Sequence, residues 1–402
     1  MEGNKQLQGP KPNRRINLSP GFFKAFVHSQ QFSGILLLVC TLFSLLVTNY
    51  IDQSFLPHLW HTSFGFELGK FHFIKPLEFW INDGLMGIFF LLVGLEIKRE
   101  FVNGELAGFK KASLPLAAAL GGMLLPAFIY LLFNHHSPQA SGWGIPMATD
   151  IAFALGILSL AGDRVPLGLK VFLTALAVVD DLGAIVVIAL FYTSNFAIAA
   201  LLKAGLVLLL LVVMNRLKVK VVILYLIAGI FLWYFVLQSG IHATIAGVLL
   251  ALCIPISDKP DESMLHKMEL DLHEPVNFLI MPLFALCNTS ILINAEIWAE
   301  IPSKLIHGIQ WGLIIGKPVG ILLFSYLVIK ARWSVLPQGV NWRMMTGAGL
   351  LAGIGFTMSI FISMLAFNDL QRIEGAKIAV LIASTLSGLL GLLWFRWMVS
   401  KS

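Results

Sequence analysis

Apolar runs long enough to cross a bilayer recur from Phe32 to Trp397, with only short polar breaks between them. A transmembrane helix needs about 20 such residues. Inside lipid, each segment must satisfy its own backbone N–H and C=O groups. The chain therefore reads as an all-α polytopic membrane protein with no sizeable soluble domain. Its 402 residues are 57% hydrophobic and 12% charged, whereas a soluble domain is nearer about 25% charged.

The pattern predicts twelve spans, at about 32–50, 77–97, 112–134, 143–161, 168–192, 197–214, 221–238, 241–255, 275–294, 304–329, 344–367 and 375–397. Residues 1–30 are polar and basic and read as a retained cytoplasmic tail; 31–402 form the transmembrane domain. Even-numbered connections carry Lys98, Arg99, Lys110, Lys111, Arg164, Lys170, Arg216, Lys218, Lys220, Lys259, Lys267, Lys330, Arg332 and Arg343, and Arg396 and Lys401 follow the last span. Odd-numbered ones carry only Lys70, Lys75, Lys304, Arg372 and Lys377. By the positive-inside rule both termini are cytoplasmic, as an even span count requires. The net charge of +6 thus serves orientation, and no nucleic-acid partner is expected. Cys40, Cys253 and Cys287 show no CxxC spacing, and the ten histidines show no metal-ligand pattern, so neither a disulfide framework nor a cofactor is expected. Residues about 63–75 alternate around Leu68-Gly69-Lys70 and read as a short external β-hairpin. An isolated hairpin is marginal, which favours a homodimer contact there.

Two spans are interrupted. The fourth carries Pro146 and Thr149-Asp150; the eleventh carries Gly347, Gly349, Gly353 and Gly355 among Thr357 and Ser359. They occupy matching places in two three-span blocks, about 112–192 and 304–397, which begin at an odd and an even span and so would be inverted repeats. Broken segments in matching positions point to the site of a secondary transporter.

Away from the span ends, the intramembrane ionisable residues are few: Asp83, Asp150, Asp180, Asp181, Lys203 and Lys317. Lys203 can snorkel to the interface. Asp83 reads as a helix-start or interface residue. Asp180 and Asp181 sit side by side in mid-span, where a single carboxylate costs roughly 2.5–3.5 kcal/mol on insertion scales. They are about 100° apart around a helix and titrate as a coupled pair. Hard cations prefer oxygen ligands, so Na⁺ or Li⁺ can replace the protons, with Thr149 and freed carbonyls completing the shell. Lys317 lies in Gly316-Lys317-Pro318, which is no nucleotide-binding loop. A lysine at that depth needs a partner, Asp180 above all. Asp150 stands where a broken helix would present a positive N-terminus, and Lys317 can face a negative C-terminus. A Na⁺-coupled solute symporter of related fold and a cation channel remain open on these residues. Ser359 and His242 lie spans apart with no nucleophile motif, so an enzyme is not expected.

The segments Gly94-Leu-Glu-Ile-Lys-Arg-Glu100, Ala148-Thr-Asp-Ile-Ala-Phe-Ala-Leu-Gly156, Val179-Asp-Asp-Leu-Gly-Ala-Ile185, Ser239-Gly-Ile-His-Ala-Thr-Ile-Ala-Gly247, Gly316-Lys-Pro318 and Gly353-Ile-Gly-Phe-Thr-Met-Ser-Ile-Phe361 resemble those of NhaA-type Na⁺/H⁺ antiporters, in order from about residue 30 onward. That family is itself a type case of the inverted-repeat rule, so rule and resemblance are one line of support. The resemblance implies twelve helices with two crossed discontinuous ones and a homodimer joined through the hairpin, in the bacterial inner membrane. It implies electrogenic export of Na⁺ or Li⁺ for more than one H⁺ by alternating access, activated at alkaline pH. Asp180 and Asp181 would carry ion and proton, Lys317 would pair with Asp180, and Asp150 and Thr149 would belong to the crossed helices. The pH response would fall on Glu96, Arg99, Glu100, Glu269 and His273. Leu270 stands where the family pattern has a second histidine, and Glu274 precedes the proline.

Overall fold

The computed structural model describes residues 20–69, 71–161, 165–193, 197–257, 263–294 and 303–400. The first 19 residues of the expected tail, with Lys70, Arg164, Lys259 and Lys401 of the charge pattern, lie outside the described residues. Among the described residues, eight helices are long and apolar enough to cross a membrane, and two bent helix pairs bring the count to as many as ten. The first helix, Pro20–Leu46, begins within the stretch read as a tail. The expected eighth span is helical only over Ile245–Cys253. Lys377, assigned above to a connection, lies inside the last helix, Leu370–Ser400, with Nζ 3.4 Å from Asn288 Oδ1.

Strands β1 (Ser63–Leu68) and β2 (Phe71–Pro76) pair antiparallel, Leu68 opposite Phe71. Such a turn needs positive φ, which Gly69 supplies at +61°. Phe73 packs among Phe79, Trp80, Trp233 and Tyr234, and Trp80 Nε1 donates to Phe64 O, so the hairpin is tied to its own chain's helices.

Two blocks share one order of elements. Phe109–Asn134 leads to the bent pair Pro138–Met147 and Ile151–Leu160, then to Leu167–Phe191. Lys304–Trp311, continued through Lys317–Lys330, leads to the bent pair Trp342–Ala352 and Phe356–Ala366, then to Leu370–Ser400. Both pairs bend by 45°. The first half of the earlier pair is a 3₁₀ stretch, not α-helix. The eleventh-span glycines act differently from a flexible hinge. Neither Gly353 nor Gly355 has positive φ. A Cβ on Gly353 would stand 2.6 Å from Leu313 O and 2.7 Å from Ser387 Oγ. They are there for close approach.

Wide π turns at Val276–Ile280 and Gly312–Gly316 were not expected. Each lies just before a proline, Pro282 and Pro318. A proline ring clashes with the carbonyl four residues back, here Phe278 and Ile314, and widening the turn relieves it. The Gly312–Gly316 turn leads directly into Lys317.

The blocks lock where Phe109–Asn134 crosses Lys317–Lys330. A Cβ on Gly121 would land on Gly320 O, and one on Gly320 on Gly121 O. Both obstacles are backbone and cannot swing aside. Gly320→Val is expected to cost about 1–3 kcal/mol or more, read as a lowered melting temperature and a smaller monodisperse fraction in detergent. An unchanged melting temperature would show that the helices can part without loss.

Candidate ion-binding site

The two helix breaks meet. Asp150 N donates to Ile354 O at 2.7 Å, and Ser359 Oγ donates to Ile145 O at 2.7 Å. Each break exposes unpaired backbone groups in a place without bulk water. Asp150 serves two half-helices at once. Its Oδ1 accepts from Phe153 N at 3.1 Å, capping Ile151–Leu160. Its Oδ2 accepts from Thr357 N at 3.2 Å and from Thr357 Oγ1, in the first turn of Phe356–Ala366. One carboxyl group therefore faces two positive helix N-termini. At the opposite ends, Lys317 Nζ donates to Met147 O, the last carbonyl of the 3₁₀ half, and Thr149 Oγ1 lies 3.0 Å from Ala352 O.

Asp180 and Asp181 lie mid-helix in Leu167–Phe191, 1% and 4% exposed. Asp180 Oδ2 pairs with Lys317 Nζ at 2.6 Å, and Thr149 Oγ1 lies 2.7 Å from the same oxygen. The single threonine proton serves either Asp180 or Ala352 O. Asp181 points into different surroundings. With Thr149, Asp150, Thr357, Asn277, Glu96 and His273 it lines a cavity of about 40 Å³ that Asp180 and Lys317 do not reach. That is room for one or a few waters. Oδ1 of both aspartates accepts no hydrogen bond among the described residues. Hard oxygen ligands of this kind suit a small bare cation.

The other end of the cavity is ionic. Arg99 bridges Glu269, Nε to Oε1 at 3.2 Å, and Glu100, Nη2 to Oε1 at 3.0 Å. His273 Nε2 lies 3.4 Å from Glu96 Oε1 and 3.8 Å from Glu269 Oε1. Glu96, Arg99, Glu100, Glu269 and His273 thus form one cluster. His266, one turn before Leu270, brings a further imidazole near the cluster, its Nδ1 3.9 Å from Glu269 Oε2. Sequence reading passed over His266, although its spacing of three from Glu269 places it on the same helix face.

Some residues lie elsewhere. Asp83 does not start a helix, since Leu77–Phe79 precedes it. Its carbonyl accepts from Trp233 Nε1 at 3.0 Å. Lys203 is exposed, its Nζ 5.8 Å from the Phe235 ring centre. Ser359 and His242, whose Nε2 is 2.9 Å from Tyr192 O, hold backbone in separate places. Thr357 and Ser384 support the breaks, Ser384 Oγ accepting from Phe356 N at 3.1 Å.

Buried carboxylates and a lysine at two helix breaks, within a bundle of apolar helices, define a secondary transporter of a small cation. The sequence model of the family "Na+/H+ antiporter 1" matches residues 24–395, and the chain belongs to that family. The chain is 52% identical over 378 residues to "Na(+)/H(+) antiporter NhaA 2" of Flavobacterium johnsoniae, covering 94% of this chain and 92% of that one. It is 49% identical over 379 residues to "Na(+)/H(+) antiporter NhaA" of Dechloromonas aromatica, covering 93% and 95%. Among solved structures, the sodium proton antiporter MjNhaP1 of Methanocaldococcus jannaschii shares the fold at 17% identity and TM-score 0.54, over 92% of this chain and 98% of that chain. The protein is a multi-pass membrane Na⁺/H⁺ antiporter, a secondary transporter rather than an enzyme.

Proposed function

We propose that Asp180 and Asp181 form one shared site at which Na⁺ or Li⁺ competes with protons, and that alternating access turns this competition into exchange. One observation carries the reading: Asp180 is tied to Lys317 at 2.6 Å while Asp181 faces the cavity. Asp181 is the principal ion ligand. Asp180 is passed between Lys317, proton and cation. Two titrating loci against one monovalent ion give more than one proton per Na⁺, hence electrogenic exchange. Asp150 and Thr149 hold the crossed breaks, and Glu96, Arg99, Glu100, Glu269 and His273 tune the response to pH.

Lys98 and Arg99 mark the cytoplasmic end of their helix by the positive-inside rule. The cavity reaches Glu96 on that same helix, so the state described here faces the cytoplasm. Taking Val222–Gln238 and Ile245–Cys253 as further spans beside the eight helices and two bent pairs makes twelve, with both termini cytoplasmic. The two blocks are then inverted repeats. The hairpin lies outside and joins two copies, and the inner membrane of a bacterium is the setting.

Competition sets the pH dependence. As pH falls, protons fill the carboxylates and the apparent KM for Na⁺ rises, by up to about tenfold per pH unit for each proton displaced. At high pH it levels off. ΔpH-driven Na⁺ and Li⁺ flux in proteoliposomes, with K⁺ as control, tests this. A KM for Na⁺ that is flat with pH would refute a shared site.

A further inference from the structure

We propose that the cytoplasmic end of the cavity is also a binding site for a divalent transition-metal ion of the Zn²⁺ class, held by Glu96, Glu269 and His273 with His266 as fourth ligand. One donor atom from each of Glu96, Glu269 and His273 lies within 4.8 Å of the others. Tetrahedral Zn²⁺, at about 2.0–2.1 Å from nitrogen and oxygen donors, spaces its ligands by roughly 3.4 Å. His273 Nε2 already stands 3.4 Å from Glu96 Oε1 and 3.8 Å from Glu269 Oε1. Closing the shell takes side-chain rotation: Oε1 of Glu269 already holds Arg99, and His266 stands outside the group of three, 3.9 Å from Glu269 Oε2.

Glu269 supplies the independent sign of a ligand. Its side chain is 4% exposed, yet its Oε2 has no hydrogen-bond partner among the described residues. Arg99 engages only the other oxygen. His266, Glu269 and His273 stand three and four residues apart on one helix, so all three share a face. Glu96 comes across from Met86–Asn103.

Charge points the same way. Glu96, Glu100 and Glu269 face the single guanidinium of Arg99, while Lys98 turns away to the carbonyls of Leu252 and Ile254. A divalent ion can replace the protons that these carboxylates and imidazoles otherwise share. Two imidazoles with two carboxylates suit Zn²⁺ over Mg²⁺, which prefers oxygen and water. Glu96 and His273 line the cavity that ends at Asp181, so a bound ion obstructs it. That consequence rests on the proposed cation route; the metal site itself does not.

Calorimetric titration of the untagged, detergent-purified full chain with ZnCl₂ tests the site. One Zn²⁺ per protomer is expected, with no saturable response to MgCl₂. His273→Gln and His266→Gln should each weaken it by at least about tenfold. His135 and His136, whose rings are 3.7 Å apart, are the rival imidazole pair, and the His135→Gln/His136→Gln variant should bind as wild type does. No saturable binding, or binding lost in that variant and kept in His273→Gln, would overturn the site. Zn²⁺ should also slow Na⁺/H⁺ exchange in proteoliposomes, and EDTA should restore it. Stoichiometric binding with undiminished exchange would keep the metal site and overturn the cavity as the cation's route.

Discussion

Asp181→Asn is expected to lower Na⁺/H⁺ exchange by about 100-fold or more while the protein folds normally. Asparagine keeps the shape and one carbonyl oxygen but removes the charge. A unit charge about 2.4 Å from a cation, at an effective dielectric near 20, is worth on the order of several kcal/mol. Losing even part of that costs about two decades in affinity. The same change removes a proton acceptor, so both halves of the cycle fail together. Folding should survive, because Oδ1 of Asp181 accepts no hydrogen bond among the described residues and an ion pair is not broken. Exchange in proteoliposomes and thermal unfolding in detergent, measured on one preparation, separate the two effects. Near-normal exchange would remove Asp181 from the mechanism.

Lys317→Ala should do the reverse and damage the structure first. Lys317 is fully buried, and its ammonium holds both Asp180 and the open C-terminus of the 3₁₀ half at Met147. Removing one partner of a buried pair strands the other charge, at a cost of about 3–5 kcal/mol. The apparent melting temperature should fall by on the order of 5–10 °C. Asp180→Asn added to Lys317→Met removes both charges and should recover most of that loss, because an apolar replacement of a buried pair is often neutral. If Lys317→Ala melts with the wild type, or the double variant is worse than Lys317→Ala, the pair is not what holds this junction.

The carboxylate pair, Lys317 and the two interruptions were legible because each is a local anomaly in apolar sequence. What they touch was less so. Asp150 caps its own helix within three residues, a local signal. Its second helix, at Thr357, is 207 residues away, and only the fold brings it there. The glycines of the eleventh span marked an interrupted helix in the sequence; their φ angles and the backbone pressed against them show that they also serve close packing. The π turns had a local cause in Pro282 and Pro318, but a proline in an apolar run says only that the helix must yield, not how. His266 was hidden by an expectation fixed on the position now held by Leu270. Lys377 was hidden because a lysine near a span end looks like a loop residue until its partner Asn288 is known.

In the proposed mechanism the two aspartates divide the work: one carboxylate is held by Lys317, and the other is free to trade a proton for a cation. Calorimetric Na⁺ binding to the purified protein, repeated in buffers of different ionisation enthalpy, counts the protons released as Na⁺ binds. That division requires proton release in the wild type, with heats that change with buffer, and loss of Na⁺ binding in Asp181→Asn. Na⁺ binding with the same heat in every buffer, or undiminished in Asp181→Asn, would contradict it.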